Sequence, residues 1–141
     1  MRVLRIVAVS TAAVVALATP ALAQNFDFRG TMTGAEVVPG PGDTDGAGTF
    51  KVSIDNAKNE LCYDLAWQNI DQPNAAHIHV GGANQAGKIM VDLNFPANGP
   101  KACIPVDATS VGHMTGGPKS HYIDLHTGSQ PEGAVRGQLQ K

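Results

Sequence analysis

The stretch Phe50-Lys51-Val52-Ser53-Ile54-Asp55-Asn56-Ala57-Lys58-Asn59-Glu60-Leu61-Cys62-Tyr63-Asp64-Leu65-Ala66-Trp67 decides the fold class. Phe50, Val52 and Ile54 alternate with Lys51, Ser53 and Asp55. After the turn residues Asn56 to Asn59, the residues Leu61, Tyr63, Leu65 and Trp67 alternate with Cys62, Asp64 and Ala66. A period of two places one set of side chains on a buried face and the other outside, so the segment predicts two strands joined as a hairpin. Working outward, Phe26, Phe28 and Met32 predict an earlier strand, and the turn-rich Val38 to Gly46 an exposed loop. Its two aspartates lack EF-hand spacing and a closing glutamate, which makes a solvated turn the better reading than a calcium loop.

Downstream, Ala76, Ile78 and Val80 alternate with His77 and His79, then Gly81 to Gly87 turns, and Ile89, Val91, Leu93 and Phe95 resume the period. This glycine-rich turn lacks the Walker lysine and serine, and no helix follows it, so it does not read as a phosphate cradle. Ala102 to Val106 predicts a short strand, and Asp107 is placed to cap one or two helical turns that end at Gly116-Gly117-Pro118. His121 to His126 and Val135 to Leu139 close the chain as strands. With 16 Gly, 9 Pro and no long helical stripe, the expectation is an all-β, antiparallel, Greek-key-like sandwich or flattened barrel of about seven or eight strands.

The first residues have the layout of an export signal: Arg2 and Arg5, an apolar run from Ile6 to Leu17, then Ala21 and Ala23. Residues 1 to 23 are expected to be a cleaved signal peptide and residues 24 to 141 a single domain. The apolar run is short for a membrane span and no stop-transfer stretch follows it, so no membrane span is expected in the mature form, which would lie in the periplasm or outside the cell. A net charge of -2 and the lack of a basic run argue against a nucleic-acid partner. In an oxidising compartment Cys62 and Cys103 are expected to form one disulfide, since neither belongs to a Cys-x-x-Cys metal pair.

The chemistry centres on Ala75-Ala76-His77-Ile78-His79-Val80. Two histidines two apart on a strand share a face, here the outer one if Ala76, Ile78 and Val80 enter the core. Such a pair can chelate a transition metal, copper or alternatively zinc, with His126 of Tyr122-Ile123-Asp124-Leu125-His126 as third ligand if the two strands are neighbours. Asp124 or Tyr122, on the face of His126, or a backbone carbonyl is expected to fix a ring tautomer from behind the ligands. His113-Met114 is a weaker source of a soft ligand. The competing reading makes the histidines structural, their ring N–H groups donating to loop carbonyls and pinning the glycine-rich turn. Arg136 is expected to pair with Asp124, Glu132 or Asp92, with guidance of a small anion toward the metal as its alternative use.

Gly34-Ala35-Glu36-Val37-Val38-Pro39, Ala76-His77-Ile78-His79, and Tyr122 to Thr127 leading through Pro131-Glu132-Gly133 to Val135-Arg136-Gly137-Gln138-Leu139 resemble the chordin-type domain, CHRD, across essentially the whole mature chain. That family is known from animal chordin, an extracellular antagonist of a growth factor, and from exported bacterial proteins. The resemblance implies a secreted β-domain. A looser likeness to Cu,Zn superoxide dismutase implies that His77, His79 and His126 would match copper ligands and Arg136 an anion-guiding group. The chain lacks that enzyme's zinc loop and bridging histidine, so the likeness does not reach a two-metal centre. The two functions to be separated are a copper- or zinc-binding exported domain with superoxide-related redox chemistry as its extension, and a non-catalytic module holding a protein partner, matrix or second copy.

Overall fold

A computed structural model describes residues 24–141. The expected signal peptide lies outside the described residues. The element order is β1 (Asn25–Thr33), β2 (Ala47–Asp55), β3 (Glu60–Gln68), β4 (Ala75–Val80), β5 (Ile89–Asp92), β6 (Lys101–Pro105), α1 (Ala108–Gly116), β7 (His121–His126) and β8 (Val135–Gln138). All eight strands belong to one sheet, in the order β5-β4-β7-β8-β1-β2-β3-β6, and every pairing between its strands is antiparallel. The sheet curls into a half-barrel, so the inner side chains of its two halves meet. Phe28, Phe50, Ile54 and Leu61 from one half share a core with Ile78, Leu93, Ile123 and Leu125 from the other.

The hairpin reading holds in detail. Asp55 pairs with Glu60 and Phe50 with Leu65, and Phe50, Val52, Ile54, Leu61, Tyr63 and Leu65 are all buried. Tyr63 ties the curl together, because its hydroxyl donates to the carbonyls of Leu93 and Gly99, 3.1 Å each, in the connection that carries the chain from edge strand β5 to edge strand β6. Cys62 stands directly opposite Cys103 across β3 and β6, and the two form the expected disulfide. Asp107 caps α1, its carboxylate accepting from the Ser110 amide at 2.9 Å.

Two inward expectations are corrected at one corner of the sheet. Val80 is 44% exposed and Ile89 54% exposed. Val80 is the last residue of β4, and its amide bonds Lys88 where the chain re-enters from the loop, past the end of the core. A register shift between Ile78 and His79 pairs Ile78 with Val91 but His79 with Ile89. The extra residue of this bulge turns Ile89 to the histidine face, while Val91 keeps its place inside.

Candidate functional site

β4 and β7 are neighbours, and their register places His77 opposite Asp124, His79 opposite Tyr122, and Ala75 opposite His126. Residues directly opposite in an antiparallel pair share a face, so all these side chains stand on the outer side of the sheet. β8 continues the rows with Arg136 opposite Asp124 and Gln138 opposite Tyr122. The three imidazoles come together: ring centroids lie 4.9 Å apart for His77 and His126, 5.6 Å for His77 and His79, and 6.4 Å for His79 and His126.

This outer face is covered rather than solvated. The loop from Gly81 to Gly87 folds back over it, held by Arg136 Nη2 donating to Gly82 O at 2.8 Å and Gln138 Nε2 donating to Gly81 O at 2.6 Å. Gly87 packs against the end of β4 so closely that a Cβ there would overlap the Val80 carbonyl. The segment after β7 covers the other end. His79, Asp124 and Arg136 are therefore buried, and His77 and His126 partly so.

The covering loops decide which ring nitrogens carry protons. His79 Nδ1 lies 2.9 Å from Gly87 O, and His126 Nδ1 lies 2.9 Å from Pro131 O. A carbonyl only accepts, so each Nδ1 carries a hydrogen, and a ring in its neutral form turns a bare Nε2 lone pair the other way. Both Nε2 atoms face the same carboxylate oxygen, Asp124 Oδ1, at 3.2 Å from His79 and 3.1 Å from His126. His77 Nδ1 completes the cluster, 3.1 Å from His126 Nε2 and 3.9 Å from Asp124 Oδ1. His79 Nε2 and Asp124 Oδ1 are buried without a hydrogen-bond partner. Acceptors crowded against acceptors require a positive charge among them, either protons on the rings or a cation.

Electrostatics separates the rings. Burial and the neighbouring His126 push His77 below its ordinary value. Burial also works against a charged His126, but contact with Asp124, helped by the Pro131 carbonyl and Glu132, outweighs it and pushes that ring up. For Asp124 burial favours the neutral acid, and the adjoining His126 and His79 rings overcome it and hold the carboxyl below its ordinary range.

The donor set also fits a transition metal. Four ligands at roughly 2.0–2.1 Å in a tetrahedron would have their donor atoms about 3.3 Å apart. The ligand atoms of His77, His79, Asp124 and His126 all lie within 4.8 Å of one another. Three imidazole nitrogens with one carboxylate oxygen suit zinc or copper(II). Asp124, expected to act from behind the histidines, has its Oδ1 within 3.9 Å of a ring nitrogen of each of the three. The signal for this was its place two residues before His126 on one strand, hence on the same face. Tyr122 does sit behind, its ring stacked on His79 with centroids 4.7 Å apart and planes 5° from parallel.

Arg136 is corrected on its expected pairing. Its guanidinium bonds Gly82 O and Gln138 Oε1, lies 3.5 Å over the Tyr122 ring, and forms no salt bridge among the described residues. The loop above and Tyr122 below hold it away from the carboxylates and, at 2% exposure, away from solvent anions. His113 is exposed on α1 and Met114 is buried in the core, so neither joins the cluster. A second grouping, Glu60 with Cys62 and Cys103, has its sulfurs consumed by the disulfide.

The fold and site define an all-β domain with a covered imidazole–carboxylate cluster on the outer face of its sheet. The family model for the CHRD domain matches residues 28–139, and the chain belongs to that family. Comparison with curated proteins and with solved structures finds no match.

Proposed function

We propose that the chain is an exported CHRD-domain protein that holds one transition-metal ion among His77, His79, His126 and Asp124, with copper(II) the first choice and zinc the alternative. One observation carries the reading. Two imidazoles whose Nδ1 atoms are held by Gly87 O and Pro131 O turn their Nε2 atoms toward one buried carboxylate oxygen, the orientation in which each ring, once its Nε2 is deprotonated, offers a lone pair to an ion. Nitrogen and oxygen donors favour copper(II) over zinc by intrinsic affinity. Such carbonyl bonds to ligand histidines are also the usual outer support of metal sites, so the structural role of these rings and metal holding are compatible. The export signal read in residues 1 to 23 and the Cys62–Cys103 disulfide support a periplasmic or extracellular setting.

Redox chemistry on superoxide is the further extension. It would need an open position on copper and a route for the anion, and Arg136 is too enclosed to guide one. Holding the ion is therefore the core of the proposal. The test is metal loading of the mature chain beside a variant with His77, His79 and His126 all replaced by alanine. One equivalent of copper or zinc bound by the unaltered chain and lost in the variant is the expected result. Equal, weak uptake by both would overturn it and favour a module that holds a protein partner or second copy. A superoxide assay on the copper-loaded chain tests the extension.

A further inference from the structure

We infer that Arg136 and Tyr122 are positioning residues that set the His79 ring for ligation, a deepening that rests on the metal reading above. His79 is the one cluster ring stacked face to face on an aromatic neighbour, with Tyr122 parallel to it at 4.7 Å. The Tyr122 ring also carries the Arg136 guanidinium, 3.5 Å from its centroid. A planar cation on the ring face fixes the ring by electrostatic attraction as well as by packing.

The same two residues hold the loop that fixes the His79 tautomer. Arg136 Nη2 anchors the start of the loop at Gly82 O, and the Tyr122 hydroxyl accepts from the Gly87 amide, 3.1 Å away, at its end. Gly87 in turn offers its carbonyl to His79 Nδ1 at 2.9 Å. The path is closed: Arg136 sets Tyr122 and the loop, and these two set the plane and the protonated nitrogen of His79. Among the described residues Arg136 has no carboxylate partner within salt-bridge reach, and its Nη1 is buried without a hydrogen bond. Keeping an unpaired buried cation is costly, and a role in stacking and loop anchoring accounts for what it gains here.

The test compares Arg136→Met, Arg136→Lys and Tyr122→Leu with the unaltered mature chain. The first readout is the histidine ring tautomer in the metal-free protein by ¹⁵N NMR. The second is titration with copper(II) or zinc. The unaltered chain is expected to show His79 as a single Nδ1–H tautomer. Arg136→Met and Tyr122→Leu should mix the tautomers and weaken metal binding about 10–100-fold, the usual effect of losing an outer support, with one equivalent still bound. Arg136→Lys, which keeps the charge without the planar fork, should recover part of the affinity. Variants at two different members of the stack, Tyr122 in its middle and Arg136 at its far end from His79, keep the outcome independent of whether either one folds poorly. An unchanged tautomer and unchanged affinity in both would overturn the inference. If the unaltered chain takes up no metal, the metal reading falls, while the tautomer readout still judges the positioning.

Discussion

Replacing Asp124 by Asn keeps the shape of the side chain and removes its charge from the centre of the cluster. Its Oδ1 lies 3.1 Å from His126 Nε2, 3.2 Å from His79 Nε2 and 3.9 Å from His77 Nδ1, and among the described residues it is the carboxylate in salt-bridge reach of all three rings. The readout is thermal unfolding of residues 24–141 with and without free copper or zinc. At a hundred times its dissociation constant, an ion that binds only the folded state stabilises it by about 2.7 kcal/mol. At roughly 4 °C per kcal/mol for a domain of this size, Tm should rise by about 10 °C. Losing an outer support weakens metal sites by up to about 100-fold, and losing a charged ligand should do at least as much. At the same free metal the variant then retains about 0.4 kcal/mol, a shift under about 2 °C. A metal-induced shift in Asp124→Asn equal to that of the unaltered chain would refute the reasoning, because the carboxylate would then lie outside the ion's reach.

Other consequences follow from the same geometry. Protons compete with the ion for His126, whose ring is pushed above its ordinary 6.5. Metal affinity should therefore rise with pH through that raised value and level off above it, measurable by titration between pH 5.5 and 8.5. Without metal the dependence has the opposite sense. His126 contributes stability that is complete below about 6.5 and lost as pH rises through its folded value, while Asp124 contributes stability present above its ordinary 3.8 and lost as pH falls through its lowered one. The metal-free melting temperature should show this pair's contribution most fully between those limits. Reduction, or Cys62→Ser with Cys103→Ser, opens a link spanning 41 residues and should cost about 4 kcal/mol in denaturant unfolding on the chain-entropy account. Tyr63→Phe removes the hydroxyl shared by Leu93 O and Gly99 O and should cost about 1–2 kcal/mol in the same assay. No loss there would mean that the hydroxyl does not brace the two edges of the curl.

Much of the architecture is local information. The alternation around Phe50 and Leu61 sets faces before any tertiary contact, and it predicted the hairpin, its buried set and the outward pairing of His77 with His79. The carboxylate capping helix α1 and the cysteine pairing were legible for equally simple reasons, a side chain at a helix start and two thiols in a chain whose first residues read as an export signal. Period alone failed at Ile89, where a single extra residue in the register reversed the face.

What the sequence by itself determined is which side chains share a face within each strand. Only the tertiary structure decided that β4 lies beside β7, that Asp124 falls between three imidazoles, and that two loops close over them and claim the Nδ1 hydrogens. Arg136 shows the same division: its charge suggested an ion pair, yet a stacked ring and a loop carbonyl occupy it. Strand periodicity is written in neighbouring residues, whereas strand order, register and loop closure depend on contacts between segments about fifty residues apart, whose energies no local pattern contains.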